Sequence, residues 1–228
     1  MIVSHEHRFV FVKTHKTAGT SIEVLLAQHA GPDAIVTPIT PPVPGHEPRN
    51  FDRRFNPVPQ ILRTRQVRPA VWDLRRGVAF ENHLDLTRIR ERVGRRRLDG
   101  YFTFCFERDP WEKVASYWGW KGQQRHQDFR SFVLEGDLPS DFDAYSVDGE
   151  VAVDFVGRYE HLAEDLASVL ARVGIDAPVA LSHEKPGPRP AATLVDELFT
   201  PELDERVAGV FAREISRLGY EDRSRRSQ

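Results

Sequence analysis

The chain has 228 residues, 40% of them hydrophobic and 29% charged, which is the composition of a globular domain with one core. Its net charge of −2 excludes an overall attraction to nucleic acid or to an anionic membrane surface. Cys105 is the only cysteine, so the sequence excludes an intrachain disulfide and a cysteine metal cluster. We therefore predict one domain over residues 1–228 in a reducing compartment, with partners recognised by local features.

The first informative stretch is predicted to be a buried strand, a tight loop and the start of a helix. Phe9–Val12 is rich in β-forming residues, and apolar residues recur at helical spacing within Ser21–Gln28. Backbone N–H groups and the positive end of the helix dipole favour an anion at such a helix start. Lys16 adds a mobile positive charge, and Gly19 lets the backbone approach the anion closely. The predicted anion-binding residues, with hydroxyl donors at three of them, are Lys16, Thr17, Ala18, Gly19, Thr20 and Ser21.

This loop differs from the nucleoside-triphosphate P-loop, in which a glycine and four residues precede Gly-Lys-Ser/Thr. Here Lys16 comes before Gly19, the loop's glycine, and no acidic strand end stands out as a magnesium partner. A strand-turn-helix junction that binds no ligand is the simpler alternative.

The second informative stretch is Tyr101–Trp118, a predicted strand followed by a helix with a well-marked start. Asp109 suits the N-cap, Pro110 the first helical position and Glu112 the third. Arg108 leaves the strand end, and Ser116 follows it by eight residues, so both side chains are predicted to share one anion. The alternatives are an arginine paired with an acid and a serine that bonds its own helix backbone.

These two motifs, His15-Lys16-Thr17-Ala18-Gly19-Thr20-Ser21 and Arg108-Asp109-Pro110 with Ser116, together resemble those of sulfotransferases that use 3′-phosphoadenosine 5′-phosphosulfate, closest to the carbohydrate type. The resemblance implies a P-loop nucleotide-kinase-like fold, a three-layer α/β/α domain with a central, mainly parallel sheet. It also implies that the first motif binds the 5′-phosphosulfate and that Arg108 and Ser116 bind the 3′-phosphate. Ala18 stands where relatives often carry glycine, and we expect it to fit with a negative φ.

A histidine near the middle of the chain extends the resemblance. Residues 78–84 are predicted to form a short strand, and Leu86–Val93 a helix that starts near Asp85. In the carbohydrate-type enzymes a histidine in a similar place, usually after a glycine, is the catalytic base. The resemblance therefore implies that His83 is the base, although Asn82 replaces the glycine; a structural role for His83 is the alternative.

The remaining chain is predicted to support this site. Residues 31–77, rich in proline and expected to hold little regular structure, are predicted to be an insertion or a lid over the acceptor. Residues 153–161 resemble the family's strand ending in Arg-Tyr-Glu, in which Arg158 is predicted to be structural, and residues 201–217 its C-terminal helix. The loop around Lys185 and Arg189 is expected to cover the nucleotide and contact its 3′-phosphate.

The resemblance implies transfer of a sulfuryl group from 3′-phosphoadenosine 5′-phosphosulfate to a hydroxyl of a saccharide or small metabolite, with Lys16 and His83 as catalytic residues. It implies no metal, and we predict neither nucleic acid nor a membrane as partner, and no particular oligomeric state. The alternatives are a small-molecule kinase and a non-catalytic nucleotide-binding protein. Since no leader or membrane-length apolar run is evident, a cytoplasmic, bacterial enzyme is expected.

Overall fold

The computed structural model describes residues 1–52, 55–64, 67–77, 79–122, 128–181 and 197–225. Their centre is a five-stranded sheet. Its strands are β1 (Ile2–Ser4), β2 (Phe9–Phe11), β3 (Ile35–Val36), β4 (Phe102–Glu107) and β7 (Phe155–Arg158), in the order β3-β1-β2-β4-β7. A separate antiparallel pair consists of β5 (Ser146–Val147) and β6 (Glu150–Val151).

The sheet is mainly parallel, as predicted. β4 pairs in parallel with both β2 and β7, in a register that sets Phe9 opposite Phe102 and Phe104 opposite Phe155. β1 runs antiparallel to β2 and β3, so the other four strands share one direction. The sequence reading missed β1 and β3, which are short and carry no turn signal of their own.

The helices lie between and after these strands. They are α1 (Gly19–His29), α2 (Val58–Thr64), α3 (Val67–Arg76), α4 (Leu86–Val93), α5 (Pro110–Tyr117), α6 (Phe129–Glu135), α7 (Phe142–Tyr145), α8 (Leu162–Arg172), α9 (Pro201–Val210) and α10 (Ala212–Leu218). Shorter helical turns cover Arg95–Leu98, Trp118–Gly122, Tyr159–His161 and Arg223–Arg225. Across the described residues, none of the helices is both long enough and apolar enough to traverse a bilayer.

Both faces of the sheet are buried because its strands alternate between two apolar clusters. Phe9 and Phe11 point into one cluster with α1 and α8, whereas Val10 and Val12 point into the other with α4 and α7. Cys105 is buried on the second face. Helices therefore cover the sheet on both sides, which is the layered α/β arrangement that was predicted.

Most local predictions near the sheet are confirmed. The side chain of Asp109 accepts from the backbone N–H of Glu112 at 3.0 Å, and Asp85 likewise caps α4 by accepting from Arg88 at 2.7 Å. The guanidinium of Arg158 donates to the Leu218 carbonyl, a contact that fits its predicted structural role.

Three element predictions are wrong. Residues 79–84 form turns instead of a strand, with Ala79 and Phe80 buried as single anchors. The helix expected over residues 201–217 is broken at Phe211, whose side chain is 1% exposed and packs in the core. The proline-rich segment contains two helices, α2 and α3. The buried Arg92 of α4 donates to Gln60 in α2 and forms an ion pair with Asp73 in α3.

Candidate functional site

Two loops lie side by side at one edge of the sheet. The first loop (residues 12–18) follows β2, and the second loop (residues 108–109) follows its parallel neighbour β4, so both leave the carboxyl ends of adjacent strands. The buried Thr14 hydroxyl donates to the carbonyl of Phe106 in β4 and thereby ties the loops together. Crevices at the carboxyl ends of parallel strands are the usual ligand sites of open α/β sheets.

The N-terminus of α1 opens at the first loop. Its N-cap residue is Ala18, whose side chain cannot cap the helix, whereas aspartates cap α4, α5 and α6. The backbone at Gly19 packs closely against the side chain of Lys13, because a Cβ at this position would lie 2.9 Å from Cγ of Lys13. Lys13 itself is buried and pairs with Glu23 of α1. The predicted helix start is thus present, its anion binding stays a prediction, and Gly19 makes room for a buried lysine stem.

Ala18 departs from expectation. Its φ is +60°, in the left-handed region, so the expected negative φ is wrong. A Cβ in this conformation costs about 1–2 kcal/mol, which glycine avoids. The tight turn into α1 requires this geometry, and glycine would be the unstrained residue at this point.

We expect Ala18→Gly to leave the free energy of unfolding unchanged or to raise it by about 1 kcal/mol, because relief of backbone strain exceeds the added entropy of the unfolded chain. The control is Ala167→Gly on the exposed face of α8. This substitution should lower the free energy of unfolding by about 1 kcal/mol. Urea unfolding of both variants measures the contrast. Equal losses in the two would contradict the strained geometry at residue 18.

The other residues of the first loop differ in their accessibility. Lys16 is half-buried, also at positive φ (+59°), and its Nζ lies 5.5 Å from the centre of the Trp120 ring. Thr20 and Ser21 are half-buried in the first turn of α1. Thr17 is fully buried, and its hydroxyl lies 2.9 Å from that of Thr14. This hydroxyl therefore stabilises the loop from inside, and its donation to a ligand stays a prediction.

In the second loop, Arg108 is held by Glu112 of α5, the helix that follows it. Its Nη2 donates to Glu112 at 2.8 Å, and its guanidinium lies 4.1 Å from the centre of the Tyr159 ring. Ser116 is half-buried one turn beyond Glu112 on the same face of α5. The described contacts therefore join Arg108 to Glu112 and not to Ser116, so the arginine–acid pair raised as an alternative is present. The shared anion stays a prediction.

His83 stacks on His15 of the first loop. The two imidazole rings are 3.8 Å apart between centroids and inclined by 7°. Nδ1 of His83 lies 3.0 Å from the carbonyl oxygen of Lys13, and Nδ1 of His15 lies 2.6 Å from Asp141 Oδ1. We call His15 and His83 the histidine pair; it brings the predicted base next to the predicted phosphosulfate loop.

A buried charge network lies behind the histidine pair. Asp141 Oδ2 accepts from the backbone N–H of His15 and from Nζ of Lys113, both at 2.7 Å. Lys113 is fully buried and also donates to Glu107 at 2.8 Å. Burial favours the neutral acid, but Lys113 and His15 outweigh it and hold the pKa of Asp141 well below its usual range. The carboxylate behind His15 is therefore ionised at neutral pH.

The pKa of His83 lies far below the usual value for a histidine. Burial lowers this pKa to about 3, and the ammonium of Lys13 and an imidazolium at His15 act in the same direction. His83 is consequently neutral at physiological pH, and its protonated form is strongly disfavoured. Its assignment as the base stays a prediction, and this low pKa weighs against it.

His15, His83 and Asp141 offer ligand atoms within 4.8 Å of one another, which raises the question of a metal site. The two rings are stacked in nearly parallel planes, so their in-plane lone pairs do not converge on one point. Both Nδ1 atoms already have hydrogen-bond partners. This geometry disfavours coordination of one metal ion by both rings.

Sequence reasoning missed the roles of His15, Asp141 and Lys113, because they lie in separate segments and form no local pattern. Trp120 is 49% exposed and lies beside Lys16. The predicted contacts of Lys185 and Arg189 lie outside the described residues.

Comparison with known proteins gives one informative result. An uncharacterized protein of Archaeoglobus fulgidus is 40% identical to the chain over 95 residues, which span 38% of this chain and 79% of the archaeal protein. No protein-family model matches the chain, and no solved structure matches it. Function must therefore be argued from the site.

Proposed function

We propose that this chain is a sulfotransferase of the P-loop nucleotide-kinase-like fold. It belongs to the same family as an uncharacterized protein of Archaeoglobus fulgidus. The proposed reaction transfers the sulfuryl group of 3′-phosphoadenosine 5′-phosphosulfate to a hydroxyl of a saccharide or small metabolite. The observation that carries this proposal is the pairing of two cationic loops, with Lys16 and Arg108, at the ends of adjacent parallel strands.

The residues present fit a donor with two separate phosphate groups. The backbone N–H groups at the start of α1, where the N-cap residue is Ala18, and Lys16 would hold the 5′-phosphosulfate. Arg108 would hold the 3′-phosphate by exchanging Glu112 for a phosphate oxygen, while Tyr159 keeps its guanidinium oriented. When bound, the donor supplies an activated sulfuryl group.

The chain contributes positioning and charge to this reaction. Lys16 stabilises the negative charge that develops on the leaving phosphate oxygen, and the histidine pair receives the proton of the acceptor hydroxyl. Such transfer resembles phosphoryl transfer in depending mainly on alignment and electrostatics. The sulfuryl group carries less charge than a phosphoryl group, so the proposal requires no magnesium ion.

One contact disfavours the kinase alternative. Glu107, the carboxylate at the end of β4, is 1% exposed and bonded to Lys113, so it does not face the loops as a magnesium ligand would. A kinase should prefer ATP, whereas the proposed enzyme should prefer adenosine 3′,5′-bisphosphate. A non-catalytic binding protein would bind the bisphosphate without turning over the donor.

Calorimetric titration with adenosine 3′,5′-bisphosphate, adenosine 5′-monophosphate and ATP tests the two phosphate sites. We expect the wild-type protein to bind the bisphosphate most tightly. Arg108→Ala should weaken bisphosphate binding by about 10- to 100-fold, the loss of a charge-assisted contact of about 1.5–3 kcal/mol, and should leave monophosphate binding nearly unchanged.

Arg95→Ala is the matched control. Arg95 forms the same kind of ion pair with Glu91 of α4, four residues away. It should bind all three nucleotides like the wild type. An Arg108→Ala variant that keeps the full preference for the bisphosphate would place the 3′-phosphate elsewhere. Preference for ATP in the wild type would contradict the proposed function.

A further inference from the structure

The histidine pair contains two imidazoles, and the structure distinguishes them. We infer that His15, held by Asp141, is the base that takes the proton of the acceptor hydroxyl, and that His83 is a positioning residue stacked against it. This inference rests on the proposed sulfuryl transfer and assigns the proton to His15, a residue of the first motif for which the resemblance implied no role.

Hydrogen bonding sets the same tautomer in both rings. The Lys13 carbonyl can only accept, so the proton of neutral His83 lies on Nδ1. The Asp141 carboxylate is likewise an acceptor, so the proton of neutral His15 also lies on Nδ1. In each ring Nε2 is then the nitrogen with a lone pair available to receive a proton.

The partner behind each ring decides which one gains that proton. An imidazolium at His15 faces the Asp141 carboxylate at 2.6 Å, and Lys113 keeps this carboxylate ionised. An imidazolium at His83 faces only the dipole of a carbonyl and lies near the Lys13 ammonium. A carboxylate that orients a histidine and stabilises its charged form is the arrangement found in catalytic triads.

The stacking allows one charge on the pair. Two imidazolium rings with centroids 3.8 Å apart would repel strongly in a partly buried site, so a proton on His15 keeps His83 neutral. The His83 ring also covers one face of His15, while Tyr117 contacts it edge-on. These contacts hold the ring of His15 in a single orientation.

His15 is also well placed to receive the proton of an acceptor hydroxyl. Its side chain is 33% exposed, and it precedes Lys16, the residue assigned to the leaving group. The acceptor oxygen forms a bond to sulfur while the bond between sulfur and the bridging phosphate oxygen breaks. The electron pair leaves on that phosphate oxygen, the acceptor proton moves to Nε2 of His15, and His15 later releases it to water.

The first arm of the test follows the protons in the free protein. Histidine side-chain NMR in the wild type, with His15→Gln and His83→Gln for assignment, should show that the first proton taken up on acidification by the pair goes to His15. First protonation of His83 would overturn the inference. Because this arm uses no donor or acceptor, it does not depend on the proposed function.

The second arm measures turnover with 3′-phosphoadenosine 5′-phosphosulfate and water as the acceptor, read as release of the bisphosphate. We expect His15→Gln, which keeps an amide donor for Asp141, to lower turnover about 100-fold or more, and His83→Gln to lower it less than tenfold. Bisphosphate affinity should stay unchanged in both. The acid limb of the pH profile should disappear in His15→Gln and persist in His83→Gln.

The outcomes separate the two hypotheses. A loss confined to His83→Gln would overturn the assignment to His15. A wild-type protein that binds the bisphosphate but releases none from the donor contradicts the proposed function, and the NMR arm then decides by itself whether His15 is the proton acceptor of the pair.

Discussion

Lys16→Met lowers turnover of the sulfuryl donor by about 100- to 1,000-fold while bisphosphate affinity falls much less. Lys16 lies at the start of α1 and is assigned to the charge that appears on the leaving oxygen, so its effect is largest in the transition state. The fold should tolerate the change because Lys16 is a half-buried loop residue. Release of the bisphosphate measures turnover, and calorimetry measures affinity.

Lys121→Met is the control for this experiment. Lys121 is a nearby lysine whose Nζ donates to the Tyr117 hydroxyl at 2.8 Å, and it has no assigned part in the reaction. Its turnover should match the wild type. Near-normal turnover in Lys16→Met, or equal losses in both variants, would remove Lys16 from the catalytic residues.

The second large effect is on stability. Lys113→Met should lower the free energy of unfolding by about 3–5 kcal/mol, because it leaves Glu107 and Asp141 buried without their shared cation. Urea unfolding at pH 7 measures the loss. The double variant Lys113→Met/Glu107→Gln should recover part of it, since one stranded carboxylate is then neutral.

The loss should shrink as the pH falls. In wild type, burial already raises the pKa of Glu107 to about 7 from 4.5 despite the opposing charge of Lys113. Without that charge both carboxyls are still harder to ionise in the folded state, so the folded variant binds more protons than the unfolded chain. Its stability therefore rises between pH 7 and pH 5. A loss independent of pH, or below 1 kcal/mol, would contradict a charged network at Lys113.

The sequence alone was sufficient wherever the determining interactions are local. The start of α5 follows from Asp109, Pro110 and Glu112, which act within one turn, and the structure has the same cap. The two loops were likewise recognisable, because a strand, a polar turn and a helix follow one another in the chain. Their placement at one edge follows from the parallel pairing of β2 and β4.

Backbone strain and side-chain direction required the tertiary structure. Nothing in the sequence indicated that Ala18 adopts a positive φ or that the Thr17 hydroxyl turns inward, because both depend on how the first loop meets β4. The proline-rich segment also forms helices because Arg92 of α4 anchors them from outside the segment. The low helix propensity of a proline-rich sequence is therefore outweighed by such tertiary contacts.

The sequence by itself determined the mainly parallel α/β sheet and the two candidate phosphate loops, since hydrophobic periodicity, helix caps and loop residues act over short distances. Only the tertiary structure decided the surroundings of the candidate base. His15, His83 and Asp141 come from three segments far apart in the chain, and their stacking and hydrogen bonding exist only after the sheet has brought those segments together.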